Sequence, residues 1–110
     1  MNVSVDPQFP LDGVSYPSAA DAALYLRTGA WHSRSLGEAL RHMAASAPQR
    51  PALVTPTQRL SYGELDAVSN ALAHGLADLG LRPGDRAMFQ MGSVVETAVA
   101  LLACAKAAIV

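Results

Sequence analysis

The chain has 110 residues, 51% of them hydrophobic and only 15% charged, with a formal net charge of −1. That near-neutral balance gives no electrostatic ground for nucleic acid or an anionic membrane as partner. A single cysteine, Cys104, excludes an internal disulfide and a cysteine metal cluster.

The opening "MNVSVDPQFPLDG" carries acid and proline where a signal peptide needs a basic, then apolar, segment, so a cytoplasmic location is expected. Residues 1 to 17, with Pro7, Pro10, Pro17 and Gly13, read as an irregular lead-in. "SAADAALYLRTG" follows as a short helix, with Ser18 as its cap, Asp21 in its first turn and Gly29 as its stop. Trp31 then sits in a loop, where its ring is expected to pin the segment against the body of the fold. Residues 1–34 are thus expected to form a lead-in with a short helix, and residues 35–110 the start of an α/β domain.

One device recurs from Ser35 onward. "SLGE" at 35–38, "SYGE" at 61–64 and "SVVE" at 93–96 all fit the S-x-x-E capping box. In that box the serine oxygen takes the third amide of the helix and the glutamate reaches back to the amide of the cap. The first box heads a stripe of Leu36, Leu40, Met43, Ala44 and Ala47 that stops at Pro48. The second heads Leu65, Val68, Leu72, Leu76 and Leu79, stopping at Gly80. The third heads a segment, Val94 to Ala105, that is apolar nearly all round and is therefore expected to be buried. Its longest uncharged run, Thr97 to Ala105, falls well short of the ~20 residues a membrane span requires.

Strand candidates lie between the helices. "PALV" and "RLS" flank the polar turn "TPTQ" and read as a hairpin ending at the second capping box. "AMFQM" at 87–91 follows "RPGD", whose Pro83 and Gly84 fit the centre of a type II turn. Strand 87–91, helix 94–107 and a strand beginning at Ile109 would make a right-handed parallel βαβ unit. "AAIV" then reads as the first half of a buried parallel strand, and the sequence as a truncated piece. Exposed apolar helix faces and an open sheet edge are expected to make such a piece self-associate.

Little chemistry is visible in the residues themselves. There is no G-x-x-x-x-G-K-[ST] loop, and the glycines at 75, 80 and 84 have the wrong spacing for a dinucleotide loop. His32, His42 and His74 are far apart, and His42 and His74 read as polar-face residues. Cys104 reads as an inert packing group on the most apolar helix. Lys106 reads as a cation suited to a helix C-terminus rather than a catalytic amine. No metal ligand set and no catalytic or cofactor-binding residue is assigned.

The motif string nevertheless resembles the N-terminal part of the AMP-forming acyl-activating enzymes, the superfamily of acyl-CoA synthetases, aryl-acid AMP ligases and peptide-synthetase adenylation domains. Leu60-Ser61-Tyr62-Gly63-Glu64-Leu65 is similar to its Leu-Thr/Ser-Tyr-x-Glu-Leu motif, and Gly80 to Arg86 to its Gly-x-x-x-Gly-Asp-Arg turn. Ala105-Lys106-Ala107 is similar to the start of its Leu-Lys-Ala-Gly motif. "LYLRTGAWHSRSLGEALRHMAASAPQRPALV" resembles the opening of aryl-acid and alicyclic-acid members. Gly92-Ser93 stands where the family commonly has Pro-Asn, and Ala108 where it has glycine.

The resemblance implies an incomplete N-terminal portion of the large adenylate-forming domain, with capped helices on a partly parallel sheet ending mid-strand. It implies a parent ligase that joins an aryl, alicyclic or fatty acid to AMP from ATP, with Mg²⁺, and passes the acyl group to CoA or another thiol. The family's phosphate loop, its Tyr-Gly-x-Thr-Glu segment and its C-terminal lysine do not occur in these residues, so this segment by itself is expected to be inactive. The competing expectations are a stand-alone α/β binding or interaction module without catalysis and, less well matched, a Rossmann-type domain lacking its phosphate loop.

Overall fold

The computed structural model describes residue 13 and residues 15–110; the rest of the lead-in expected over 1–17 lies outside the described residues. The chain divides into two compact units, Met1–Arg34 and Ser35–Val110.

The first unit contains α1 (Ala19–Thr28). Ser18 caps it by accepting the Asp21 amide, and Gly29, at φ 75°, closes it in the left-handed region. Trp31 is 43% exposed and lies on Tyr25, with ring centroids 5.0 Å apart and planes tilted by 49°. Its anchor is therefore its own helix, since the Trp31 amide also donates to the Tyr25 carbonyl.

The second unit runs α2 (Leu36–Ser46), β1 (Pro51–Val54), β2 (Arg59–Ser61), α3 (Tyr62–Asp78) and α4 (Val95–Lys106). The two strands form an antiparallel hairpin pairing Leu53 with Leu60 and Val54 with Arg59, with a bulge between Pro51 and Leu53. In its turn the Thr55 hydroxyl accepts the Gln58 amide and the Thr55 amide donates to the Gln58 carbonyl.

α3 is the central element and touches α2, α4 and both strands. Its first amides are all satisfied: Tyr62 donates to the Arg50 carbonyl, Gly63 to the Pro48 carbonyl and Glu64 to the Ser61 hydroxyl. Leu40, Leu65, Val95 and Val99 form the core, with Leu53, Leu60, Tyr62 and Leu102 around them.

The first two capping boxes form as expected, at Ser35–Glu38 and Ser61–Glu64. The third does not. α4 begins one residue later, so Val94 takes the cap position and has no side-chain oxygen to offer. The Thr97 amide turns to the Val94 carbonyl and the Thr97 hydroxyl donates to the Gly92 carbonyl.

The apolar stripe expected on α3 is also rotated. Leu65, Ser69 and Ala73 face inward, whereas Val68, Leu72 and Leu79 are exposed. Small residues win this face because they let α4 approach closely through Ala103 and Cys104. α4 is therefore not buried all round: Val95, Val99, Ala103 and Cys104 pack, and Leu101 is 57% exposed.

The regular sheet is antiparallel rather than partly parallel, and neither 87–91 nor Ile109 forms a strand. A strand needs a second backbone beside it, and among the described residues none pairs with 88–91. One rung of the expected parallel pairing is present. The Val110 amide donates to the Asp85 carbonyl, and the Ala87 amide donates back to Val110, both at 2.8 Å. It follows the "RPGD" turn, which closes as expected with Gly84 at φ 90° and a 3.0 Å bond from the Asp85 amide to the Arg82 carbonyl.

α3 and α4 end in the same way. Leu81 donates to the Leu76 carbonyl across Gly80 (φ 97°), and Ile109 donates to the Cys104 carbonyl across Ala108 (φ 53°). Both are six-to-one closures of the Schellman type, which require a left-handed residue just past the cap. Ala108 is the only non-glycine residue with positive φ among the described residues.

Candidate functional site

The densest polar assembly lies between α3 and α4. Lys106, the last residue of α4, does not trail toward solvent at the helix end; its side chain is 6% exposed and lies along α3. Its ammonium donates to Asp66 Oδ1 at 2.7 Å, Asn70 Oδ1 at 2.7 Å, Ser69 Oγ at 2.8 Å and the Asp66 carbonyl at 3.1 Å. An ammonium has three N–H groups, so four acceptors leave none spare.

The acceptors are themselves held. The Ser69 hydroxyl donates back to the Leu65 carbonyl at 2.7 Å, turning its lone pair toward Lys106. Asn70 Nδ2 donates to Asp66 Oδ2 at 3.4 Å, which leaves Oδ1 for the lysine. Among the described residues no buried side-chain polar atom lacks a partner. Burying a charge costs several kcal/mol unless it is paired and fully hydrogen-bonded, and this cluster meets both conditions.

The sequence reading of Lys106 as a dipole-compensating cation missed this assembly. Two signals could have revealed it. Lys106 is the only lysine among the eight Lys and Arg residues of the chain. Asp66, Ser69 and Asn70 follow at helical spacing beside the apolar stripe, so they share a face.

Beside the cluster, Asn70, Ala73, His74, Leu81 and Lys106 line an open hollow of about 360 Å³, with Arg41 across from them. His42 and His74 are exposed on their helices, in agreement with the polar-face reading. His32 is exposed too. Cys104 is buried and free, as a packing thiol should be. No group of histidine, cysteine or carboxylate side chains that could hold a metal occurs among the described residues.

The Ser61 backbone amide, and then the Ser61 hydroxyl, hold the Glu64 carboxyl below the ordinary glutamate value. A lowered carboxylate pKa stabilises the fold above the unfolded value and loses that contribution as pH falls through the folded value. Its role is to cap α3.

The hydrogen bonds of Ser61, Glu64 and Lys106 hold backbone elements in place. Among the described residues no helix is long and apolar enough to cross a membrane.

Comparison with known proteins gives the larger context. The salicyl-AMP ligase / salicyl-S-ArCP synthetase of Mycobacterium tuberculosis is 38% identical over 97 residues, covering 83% of this chain and 17% of its own. Pseudomonine synthase PmsE of Pseudomonas entomophila is 39% identical over 89 residues, covering 81% of this chain and 15% of its own. The apo structure of Mycobacterium smegmatis MbtA superposes with a TM-score of 0.81 at 36% identity, over 89% of this chain and 19% of that one. The chain thus spans less than a fifth of the length of these relatives. The sequence model described as "AMP-binding enzyme" matches residues 40–110, which take in α3, α4, the hairpin and the Lys106 cluster. The chain belongs to the AMP-binding enzyme family.

Proposed function

We propose that these residues are structural scaffold of an ATP-dependent ligase that activates a carboxylic acid, an aryl acid in the first instance, as its acyl-adenylate. The acid carboxylate attacks the α-phosphorus of ATP, pyrophosphate leaves, and a thiol then takes the acyl group. The observation that carries this reading is the match of residues 40–110 to the AMP-binding family. The aryl preference is supported by relatives named for salicylate and naphthoate activation at 35–39% identity. Mg²⁺, and CoA or a carrier-protein thiol, complete the proposed reaction. The proposed setting is the cytoplasm, where ATP and CoA are available.

The catalytic groups of such a reaction are not among the residues described above. The role proposed for this segment is to build and hold one wall of the enzyme. Its exposed apolar surface, including Val68, Leu72, Met88, Phe89 and Leu101, supports self-association of the isolated chain. Light scattering should give a mass above that of a monomer, and a concentration-independent monomer would refute this point.

The functional reading is tested by a chimera. This chain replaces the aligned segment of the M. tuberculosis salicyl-AMP ligase, and salicylate-dependent ATP–pyrophosphate exchange is measured. Retained exchange is expected; a soluble, cooperatively folding chimera without exchange would overturn the proposal.

A further inference from the structure

The Lys106 cluster sits where the chain changes direction. Three residues beyond α3's first turn supply all its acceptors, and within four residues of Lys106 the backbone passes through the left-handed Ala108 into the parallel rung with Asp85 and Ala87. The lysine stem is gripped on another side as well: a Cβ added at Gly37, in the first turn of α2, would lie 3.0 Å from Lys106 Cγ. Gly37 is buried, so α2 approaches α4 there with no side chain between.

A hydrophobic residue at 106 could fill this volume, but it would tolerate sliding or rotation of α4 along α3. The ammonium does not tolerate either. Its acceptors lie on one turn of α3, at positions 66, 69 and 70, and a shift of α4 by one residue, ~1.5 Å, would break the short bonds.

We infer that Lys106 is a positioning residue: by gripping Asp66, Ser69 and Asn70 it sets the axial register of α4 on α3, and through the Ala108 turn it sets which residues Val110 pairs with. The chain leaving α4 then enters the parallel rung at Asp85–Ala87 rather than one residue away, where the Val110 side chain would point to the opposite face. This role concerns the backbone and does not depend on the acid-activating reading.

The test separates register from mere stability. Lys106→Met keeps the stem and removes the charge, leaving Asp66 unpaired; Asp66→Asn with Lys106→Met removes both charges. Amide hydrogen exchange is followed at Ala87 and Val110, which form the rung, and at Thr55, which closes the hairpin. In Lys106→Met, protection at Ala87 and Val110 is expected to fall by about tenfold or more relative to Thr55. In the double variant the urea midpoint is expected to recover toward that of the unaltered protein while rung protection stays low. Unchanged rung protection in the single variant, or its full return in the double one, would overturn the inference.

A third measurement needs no variant to fold. Lys106 holds the only side-chain amine of the chain, so an amine-reactive ester can label only this site and the N-terminus. Lys106 is expected to react far more slowly in native buffer than in denaturant, with the N-terminal amine as the internal reference. Equal rates in both would show the cluster open and sink the proposal.

Discussion

Replacing Ala108 by glycine is expected to stabilise the protein, against the usual direction for an alanine-to-glycine change. Ala108 holds φ 53° so that Ile109 can reach the Cys104 carbonyl and bury its side chain. An L-residue with a Cβ in the left-handed region costs about 1–2 kcal/mol. Glycine removes that cost but gives the unfolded chain more freedom, which opposes folding by about 0.4–1 kcal/mol. The strain relief is the larger quantity, so a net gain of about 0.5–1 kcal/mol is expected. For a domain of this size that corresponds to a rise in Tm of about 2–8 °C. The control is the matching position on α3, where Gly80 has φ 97° and nothing within 4 Å of an added Cβ. Gly80→Ala should therefore lose stability through backbone strain alone, by a similar amount. Urea midpoints at one fixed protein concentration measure both. A loss or no change in Ala108→Gly would refute the left-handed closure of α4, and a neutral Gly80→Ala would refute the paired reading.

The capping boxes make a second contrast: Ser61→Ala should cost about 1 kcal/mol in a urea titration, whereas Ser93→Ala should stay within about 0.5 kcal/mol. Equal losses would mean that Ser93 caps α4 after all. Leu40→Ala removes a buried member of the core and should cost about 2–5 kcal/mol; a cost below 1 would place the core elsewhere. Cys104, buried on α4, should react with a thiol reagent slowly in native buffer and quickly in denaturant, and similar rates in both would show α4 exposed on that face.

Local signals were legible in the sequence to the extent that they were complete within a few residues. Ser18, Ser35, Ser61, Gly29 and Gly80 each carry the chemistry of a cap or stop, and each lies where that chemistry places it. The same logic failed at Ser93, because a matching S-x-x-E pattern does not decide which residue starts a helix when two β-branched valines follow it. Hydrophobic periodicity found α3 and its buried Leu65, but it expected Val68, Leu72 and Leu79 inward where Ser69 and Ala73 lie. The inward face is set by how near α4 can come, and Ser69 and Ala103, each 0% exposed, allow a contact that Val68 and Leu72 would prevent.

The 87–91 strand was misread for a different reason. An apolar run shows willingness to pair and says nothing about whether a partner backbone is present; among the described residues none pairs with 88–91, and the rung at Val110 is made by Asp85 and Ala87. The Lys106 cluster was missed because Lys106 lies 36 to 40 residues from its acceptors and meets them only after α3 and α4 pack; the lone lysine and the helical spacing of Asp66, Ser69 and Asn70 were its only signals. The family, by contrast, was legible early, since its motifs at Leu60–Leu65, Gly80–Arg86 and Ala105–Ala107 are local strings in a fixed order.

We propose that these 110 residues supply framework and not phosphate chemistry. Pyrophosphate release by the chain alone, incubated with ATP, Mg²⁺ and a panel of aryl, alicyclic and fatty acids, tests this directly. No acid-dependent release above the ATP-only background is expected; release that rises with any one acid would contradict the account and place a complete activation site within Met1–Val110.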